Sequence, residues 1–322
     1  MKPRPRLPIA LTIAGSDSGG GAGIQADLHT FAALGVHGTT AITCLTAQNP
    51  RGVRAIQAAT PALVRQQIEA VFAELRPGAV KTGMLFSAAI IRTVAEFCRA
   101  HPDVPLVVDP VMLATSGARL LQPAAQSALL QRLLPLATLV TPNLDEAAIL
   151  TGTPLREPED LRSAARAIHQ RFGCAVLVKG GHLKTAGRDA IDIFFDGKTE
   201  LLLSAPFVPG VSTHGTGCTY SAAITALLAH GCALPDAVTC AKRHITGAIT
   251  FSQRAGKHFV LNHDWDQPRK TPITHRPTIP RPMPPAASPV TGASRPRSVA
   301  ARPVPVATSP VPPASRLPAG CD

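Results

Sequence analysis

The chain has 322 residues, 45% of them apolar, and a formal net charge of +12. That length accommodates one large α/β domain or two ordinary ones with a sizeable core. No run of 18 or more apolar residues occurs, so no membrane-spanning helix is expected, and the opening Met-Lys-Pro-Arg-Pro-Arg lacks the apolar stretch of a signal peptide behind it.

The seven cysteines (44, 98, 174, 218, 232, 240 and 321) are scattered and odd in number, with no C-x-x-C pair. They suggest neither a zinc site nor a disulfide framework, and a cytoplasmic location is expected. Eight Lys or Arg against the single acid Asp322 lie after residue 266, which leaves about +5 for residues 1–266. A surplus of that size is ordinary for an enzyme that binds polyphosphates.

In chain order, Ile9–Ala14 reads as a buried strand running into Gly15-Ser16-Asp17-Ser18-Gly19-Gly20-Gly21-Ala22-Gly23 and then a helix start. The loop matches neither G-x-G-x-x-G nor G-x-x-x-x-G-K-[ST]. The following helix carries Ile24, Leu28, Phe31 and Ala32 on one stripe, with Asp27 at its edge. That carboxylate either caps backbone groups or holds a polar ligand.

Thr39–Thr46 is a second strand ending in Ala47-Gln48-Asn49, and Val53–Ala58 reads as an edge strand. Pro61–Leu75 is a helix with Pro61 in its first turn and Leu63, Ile68, Val71, Phe72 and Leu75 on its apolar face. Ala79–Val80 begins a strand ending in Lys81-Thr82-Gly83-Met84, and Ser87 caps a helix to Ala100. Strand Pro105–Val108 ends in Asp109-Pro110-Val111-Met112. A helix over Pro123–Leu134 precedes strand Thr138–Val140, which ends in Thr141-Pro142-Asn143-Leu144-Asp145-Glu146. A short helix to Gly152, a helix over Glu159–Arg171 and a strand over Ala175–Val178 ending in Lys179-Gly180-Gly181-His182 follow. Ala190–Phe195 and Glu200–Ser204 form a hairpin about Asp196-Gly197-Lys198.

Next comes Ser212-Thr213-His214-Gly215-Thr216-Gly217-Cys218, opening a helix of small residues that ends near Gly231. A Gly-rich loop at a helix N-terminus offers unpaired N–H groups and the positive end of the dipole, an arrangement suited to phosphate. Cys218 falls in the first turn, where a thiol pKa is expected to be lowered. These seven residues alone read equally well as a tight turn before a buried helix. A last helix spans about Pro235–Arg254.

Alternating strands and helices predict a mostly parallel sheet covered on both faces. Ligands bind beyond the carboxyl ends of such strands. Gly15-Ser16-Asp17, Gln48, Lys81-Thr82, Asp109, Asn143 and Lys179 all fall at those ends. After residue 266 the composition changes. Residues 267–322 hold fifteen of the 32 prolines and lack hydrophobic periodicity, so a disordered tail is expected. No aromatic residue interleaves its arginines, which argues against single-strand nucleic-acid binding.

In this order, the motifs resemble the hydroxymethylpyrimidine/phosphomethylpyrimidine kinase family of the ribokinase-like superfamily. They are Ala10–Asp17, Gly20–Asp27, Thr46–Asn49, Lys81–Met84, Asp109–Met112, Thr141–Ala147, Lys179–His182 and Thr213–Cys218. The likeness covers about residues 7–254. It implies a three-layer α/β/α fold with a central, mainly parallel sheet over residues 1–266, the disordered tail 267–322 being foreign to it.

It also implies ATP- and Mg²⁺-dependent phosphorylation of 4-amino-5-hydroxymethyl-2-methylpyrimidine, first to the monophosphate and then to the diphosphate, by a homodimer. The resemblance places Gln48, Asp27, Met84 and Gly15 at the substrate. Lys179, Thr213, Asn143 and Thr216 fall at the nucleotide, Asp109 and Glu146 at the metal. The resemblance implies that Gly215, Thr216, Gly217 and Cys218 supply the anion hole, with Cys218 expected as the base. Read without it, Met84 could equally be core filler and Lys179 a solvated strand end, while His214 is structural or a phosphate contact rather than a second acid/base.

Ser212 stands where the family pattern has Asn, and Gly256–His263 blurs the usual Gly-His-Gly-Pro-like ending. A pyridoxal kinase shares the fold and is the nearest rival. A non-catalytic protein presenting a basic tail is the rival of another class, opposed by the presence of Lys179, Asp109, Glu146 and Cys218.

Overall fold

The computed structural model describes residues 6–112, 121–181, 183, 187–211 and 214–267. Thr213, His182 and all of the tail after Gln267 lie outside these residues.

A nine-stranded sheet forms the centre. Six strands run parallel: β1 (Ile9–Asp17), β2 (His37–Asn49), β4 (Ala79–Thr82), β5 (Leu106–Val108), β6 (Leu139–Val140) and β7 (Ala175–Gly180). The antiparallel β3 (Gly52–Ala58) closes one edge beside β2. The hairpin β8 (Asp189–Phe195) and β9 (Glu200–Pro206) closes the other, beside β7. The order is β3-β2-β1-β4-β5-β6-β7-β8-β9. The chain therefore leaves β1 toward β2 and later returns to its other side at β4. This reversal opens a crevice at the carboxyl ends of β1, β2 and β4.

Both faces of the sheet are covered, so inner strands read as continuous apolar runs. Alternation divides them between two cores. Leu11, Ile13, Val80, Leu106, Val108, Val176 and Val178 belong to one core. That core is completed by α2 (Pro61–Glu74), α3 (Ala88–Ala100), α4 (Pro123–Ala128), α5 (Leu144–Thr151) and α6 (Pro158–Phe172). Val107, Leu139, Ala175 and Leu177 face the other way, toward α7 (Thr216–Ala229) and α8 (Leu234–Thr250). Near β1 that layer also holds α1 (Gly23–Ala33).

The expected caps form. Thr60 and Ser87 accept from Leu63 N and Ile90 N, and Asn143 with Glu146 makes a reciprocal capping box on α5.

Several local expectations are corrected. On α1, Ala32 is exposed while Ala26, Asp27 and Thr30 are buried. The helix packs against both the sheet and the neighbouring α7, so more than one stripe is covered, and Asp27 sits inside it rather than at its edge. On α2 the buried pair is Val64 and Ile68, with Leu63 and Leu75 exposed. The helix from Pro123 gives way to a π turn at Leu129–Leu133 and a 3₁₀ turn at Leu134–Leu136, where Pro135 has no N–H to donate.

The last helix ends at Thr250, not Arg254. A small hairpin follows, β10 (Gln253–Ala255) with β11 (His258–Val260). Trp265 returns over α8, donating its indole N–H to His244 O at 3.1 Å and stacking on Phe251.

Candidate active site

Asp17, at the end of β1, organises the Gly-rich loop. Its carboxylate accepts from Gly19 N at 2.8 Å, Ala22 N at 2.9 Å and Gly21 N at 3.1 Å, and contacts His214 Nε2 at 3.2 Å. Burial alone would raise this carboxyl. The His214 contact and the backbone donors outweigh it and hold the group below its ordinary range.

The loop then enters α1 at Gly23, with φ +57° and its Cβ position 2.3 Å from Gly15 O. Gly215, with φ +82°, would place a Cβ 1.8 Å from Gly21 O. Only glycine fits either position. The two Gly-rich loops therefore touch, and the N-termini of α1 and α7 are brought together.

Cys218 lies at that meeting point, half-buried. The expectation of a lowered thiol pKa is corrected. Burial pushes it up to about 11, with Asp27 and Asp109 adding to the rise and Lys81 and the Gly23 N–H opposing it. The partial charge of a helix end does not offset desolvation beside two carboxylates.

A second group surrounds Lys179 at the end of β7. Its Nζ donates to Asp109 Oδ1 at 2.9 Å. Thr141 Oγ1 donates to the same oxygen at 3.1 Å, and Ser221 Oγ lies 3.4 Å from Oδ2. A Cβ on Gly217 would stand 3.1 Å from Lys179 Nζ and 3.7 Å from Asp109 Oδ2. The first turn of α7 thus meets this ion pair where a side chain would intrude.

Burial pulls Lys179 down, but Asp109 and Glu146 outweigh it and keep the ammonium charged. Burial pushes Asp109 up, and Lys179 and Lys81 bring it below the ordinary carboxylate range. Glu146 is raised to about 7 by burial, with Asp109 adding and Lys179 opposing. A bridge between Asn143 and Lys179 sets α5's capping box beside the group.

Thr216 Oγ1 is buried with no hydrogen-bond partner. At the head of α7 it is a donor still to be used. Among the described residues no three His, Cys, Asp or Glu side chains form a cage for a metal. Asp109 and Glu146 supply two hard oxygen donors, a set that suits Mg²⁺ shared with phosphates and water.

A third group holds Gln48 at the end of β2. Its Nε2 lies 3.4 Å from His214 Nε2, and Thr46 Oγ1 donates to its Oε1 at 3.3 Å. Met84 is half-buried, its carbonyl taken by Thr43 Oγ1. Gly15 is buried against Cys44, whose sulfur would lie 2.8 Å from an added Cβ. A cavity of about 170 Å³ borders Asp17, Gly19–Gly21, His214 and Phe259, but neither Cys218 nor Lys179 lines it.

Asp27 differs from its expected position in the substrate wall. It has no exposed surface, and both carboxylate oxygens are engaged, by Lys81 Nζ at 2.7 Å and Thr12 Oγ1 at 2.6 Å. Lys81 is placed by sequence only at a strand end, with no role assigned. Its signal was a lysine in Ala79-Val80-Lys81-Thr82, a strand buried on both faces, where a cation requires a partner.

A family model described as phosphomethylpyrimidine kinase matches residues 17–263. The chain belongs to the phosphomethylpyrimidine kinase family. A hydroxymethylpyrimidine/phosphomethylpyrimidine kinase of Rhizobium meliloti is 51% identical over 247 residues, covering 76% of this chain and 92% of that relative. The thiamine biosynthesis bifunctional protein ThiED of Geobacter sulfurreducens is 49% identical over 262 residues. The match takes in 81% of this chain but spans only 53% of that longer relative.

Among solved structures, phosphomethylpyrimidine kinase from Clostridium difficile is 41% identical with a TM-score of 0.67, covering 75% of this chain and 98% of that one. A Bacillus subtilis pyridoxal kinase solved with ADP gives 0.74 at 37% identity, covering 81% and 99%. The fold is thus that of this kinase family and its pyridoxal kinase neighbours.

Proposed function

We propose that the chain transfers the γ-phosphoryl group of ATP to the hydroxymethyl oxygen of 4-amino-5-hydroxymethyl-2-methylpyrimidine, and then a second phosphoryl group to the resulting monophosphate, in thiamine biosynthesis. The observation that carries this reading is the meeting of the Lys179–Asp109 pair with the first turn of α7 at Gly217. It supplies a cation, a carboxylate and free helix N–H groups in one place, the parts phosphoryl transfer needs.

Gln48 presents one donor and one acceptor to the aminopyrimidine edge, with Met84 and Gly15 beside it and Asp27 behind. Lys179, Thr216, Asn143 and Thr213 hold nucleotide phosphates. The backbone of Gly215 and Gly217 receives the charge that builds on the transferred group. Cys218 takes the proton of the hydroxymethyl group as its oxygen attacks. Asp109 and Glu146 would hold Mg²⁺, which when bound neutralises phosphate charge.

We assign the activity to residues 1–266, working as a homodimer in the cytoplasm. Leu45, 55% exposed, Val53 and Ile56 leave apolar side chains exposed along the β2–β3 edge, and the six cysteines among the described residues are free. Light scattering on the purified chain tests the dimer.

Mass spectrometry of products formed with Mg-ATP tests the activity. The pyrimidine should yield its monophosphate and then its diphosphate. Pyridoxal phosphate as the main product would instead make the chain a pyridoxal kinase. That second reading is favoured by the Staphylococcus aureus pyridoxal kinase solved with pyridoxal, which matches at a TM-score of 0.74 and 34% identity.

A further inference from the structure

Met84 follows the end of β4 and is half-buried. Its backbone is held from two strands away. Thr43, on β2, has no exposed surface and donates from Oγ1 to Met84 O at 2.7 Å. β1 lies between β2 and β4, so this bond crosses a whole strand.

Two features of the sheet let it cross. Ala14 pairs with Ile42 but Ser16 pairs with Leu45, a shift of register between β1 and β2. Thr43 and Cys44 therefore both oppose Gly15, a bulge of the kind that re-aims side chains beside a site. The strand crossed also carries no side chain at that point. A Cβ on Gly15 would stand 2.8 Å from Cys44 Sγ and 4.0 Å from Thr43 Oγ1.

The chain beyond Met84 is held as well. Ser87 N donates to Leu85 O at 2.8 Å, closing a three-residue turn about Phe86, whose φ is +66°. Such turns are rare and strained. A bulky residue at positive φ persists only where its surroundings over-determine it. Here Leu85 is buried in the core beneath α2 and α3, and Ser87 caps α3 by accepting from Ile90 N.

We propose that Thr43 and the turn at Phe86 position Met84, and through it set which ring the site admits. The proposal deepens, and rests on, the reading of Met84 beside the pyrimidine. A methionine side chain is unbranched and adapts to varied partners, so it discriminates between rings only where its backbone is held. Anchored on both sides, Met84 walls the site to fit the pyrimidine. Released, it yields to a more heavily substituted ring such as that of pyridoxal.

The test is steady-state kinetics of the full chain with Mg-ATP, on the pyrimidine and on pyridoxal. Thr43→Val keeps the shape of the side chain and removes the donor, which leaves the Met84 carbonyl unpaired. It should raise KM for the pyrimidine about tenfold and leave KM for ATP unchanged. The preference for pyrimidine over pyridoxal, as a ratio of kcat/KM values, should fall by about tenfold. Thr43→Ser, which restores the hydroxyl, should recover the preference. Phe86→Pro, with φ fixed near −65°, should lose it from the other end of the segment.

An unchanged preference in Thr43→Val overturns the proposal, whether neither ring loses or both lose equally. A Thr43→Ser variant no more selective than Thr43→Val also overturns it. Should either Thr43→Val or Phe86→Pro fail to fold, the other decides. Failure of the kinase reading would show separately, as a parent chain that makes no pyrimidine monophosphate.

Discussion

Gly217→Ala separates the stability of α7 from its chemistry. Gly217 is the second residue of the helix and does not lie in the left-handed region, so alanine imposes no backbone strain there. Replacing a helical glycine favours the folded state by about 0.5–1 kcal/mol. For a domain of this size that is a rise of roughly 1–4 °C in Tm.

The added methyl, however, meets Lys179 Nζ at 3.1 Å and Asp109 Oδ2 at 3.7 Å. The ammonium must yield by some tenths of an ångström, and the methyl occupies the place where phosphate oxygens are to meet the α7 N–H groups. Misplacement on that scale is worth about ten- to a hundredfold in rate. Differential scanning calorimetry and steady-state kinetics with Mg-ATP should therefore show an unchanged or higher Tm with kcat lowered at least tenfold. Parent activity in the variant would refute the placement of phosphoryl transfer between Gly217 and Lys179. A drop of several degrees would refute the account of the helix.

Cys218→Ala should slow the first phosphorylation by about 10²-fold or more, the scale of general-base catalysis, and the second far less, because a phosphate acceptor is already ionised. Quench-flow rates on each acceptor check this, and equal losses would leave Cys218 only a positioning role. Gln48→Ala should raise KM for the pyrimidine about ten- to a hundredfold through a lost pair of hydrogen bonds, with KM for ATP unchanged in initial-rate measurements. Glu146 has its carboxyl raised by burial from 4.5 to about 7. The folded state therefore holds a proton that the unfolded chain has released, and stability falls as pH rises between these values, by about 3 kcal/mol in all. Urea midpoints from pH 4.5 to 8 should show this fall, and Glu146→Gln should flatten it.

The layered fold was legible because each strand end carries its own punctuation. Asp109-Pro110, Thr141-Pro142-Asn143 and Lys179-Gly180-Gly181 each stop an apolar run with a polar or conformationally restricted residue, and the structure ends or turns a strand at each. The capping pair Asn143 and Glu146 could be expected from spacing alone. What spacing could not supply was depth. Asp27 looks like the margin of a stripe when α1 is considered by itself. It becomes interior once α7 covers the helix, and that packing is set by residues nearly two hundred positions later. The raised Cys218 thiol has the same origin. A helix terminus can be recognised in sequence, but the dry surroundings and the carboxylates of α1 and β5 are assembled only by the fold. The β10–β11 hairpin escaped because the periodicity of α8 runs on smoothly past Thr250, and only the docking of Trp265 distinguishes the two segments.

Among the described residues three lysine–aspartate pairs are buried, and comparing them shows why burial alone does not mark a site. Lys242 Nζ bonds Asp192 Oδ2 at 2.7 Å and Ala190 O at 2.9 Å, while Asp192 Oδ1 accepts from Gly180 N. Those partners tie α8 to β8 and to Gly180 at the end of β7, one residue past Lys179. The Lys242 pair is thus a structural clamp, complete in its own hydrogen bonds. Lys179–Asp109 lies instead against Gly217 in the first turn of α7, and Lys81–Asp27 lies inside the layer of α1 and α7 on the sheet. Removing a charge from the clamp should cost stability with little effect on the chemistry of Cys218. Removing a charge from Lys179–Asp109 should slow phosphoryl transfer even where the fold survives, because that pair meets the helix end where charge must appear and move during transfer.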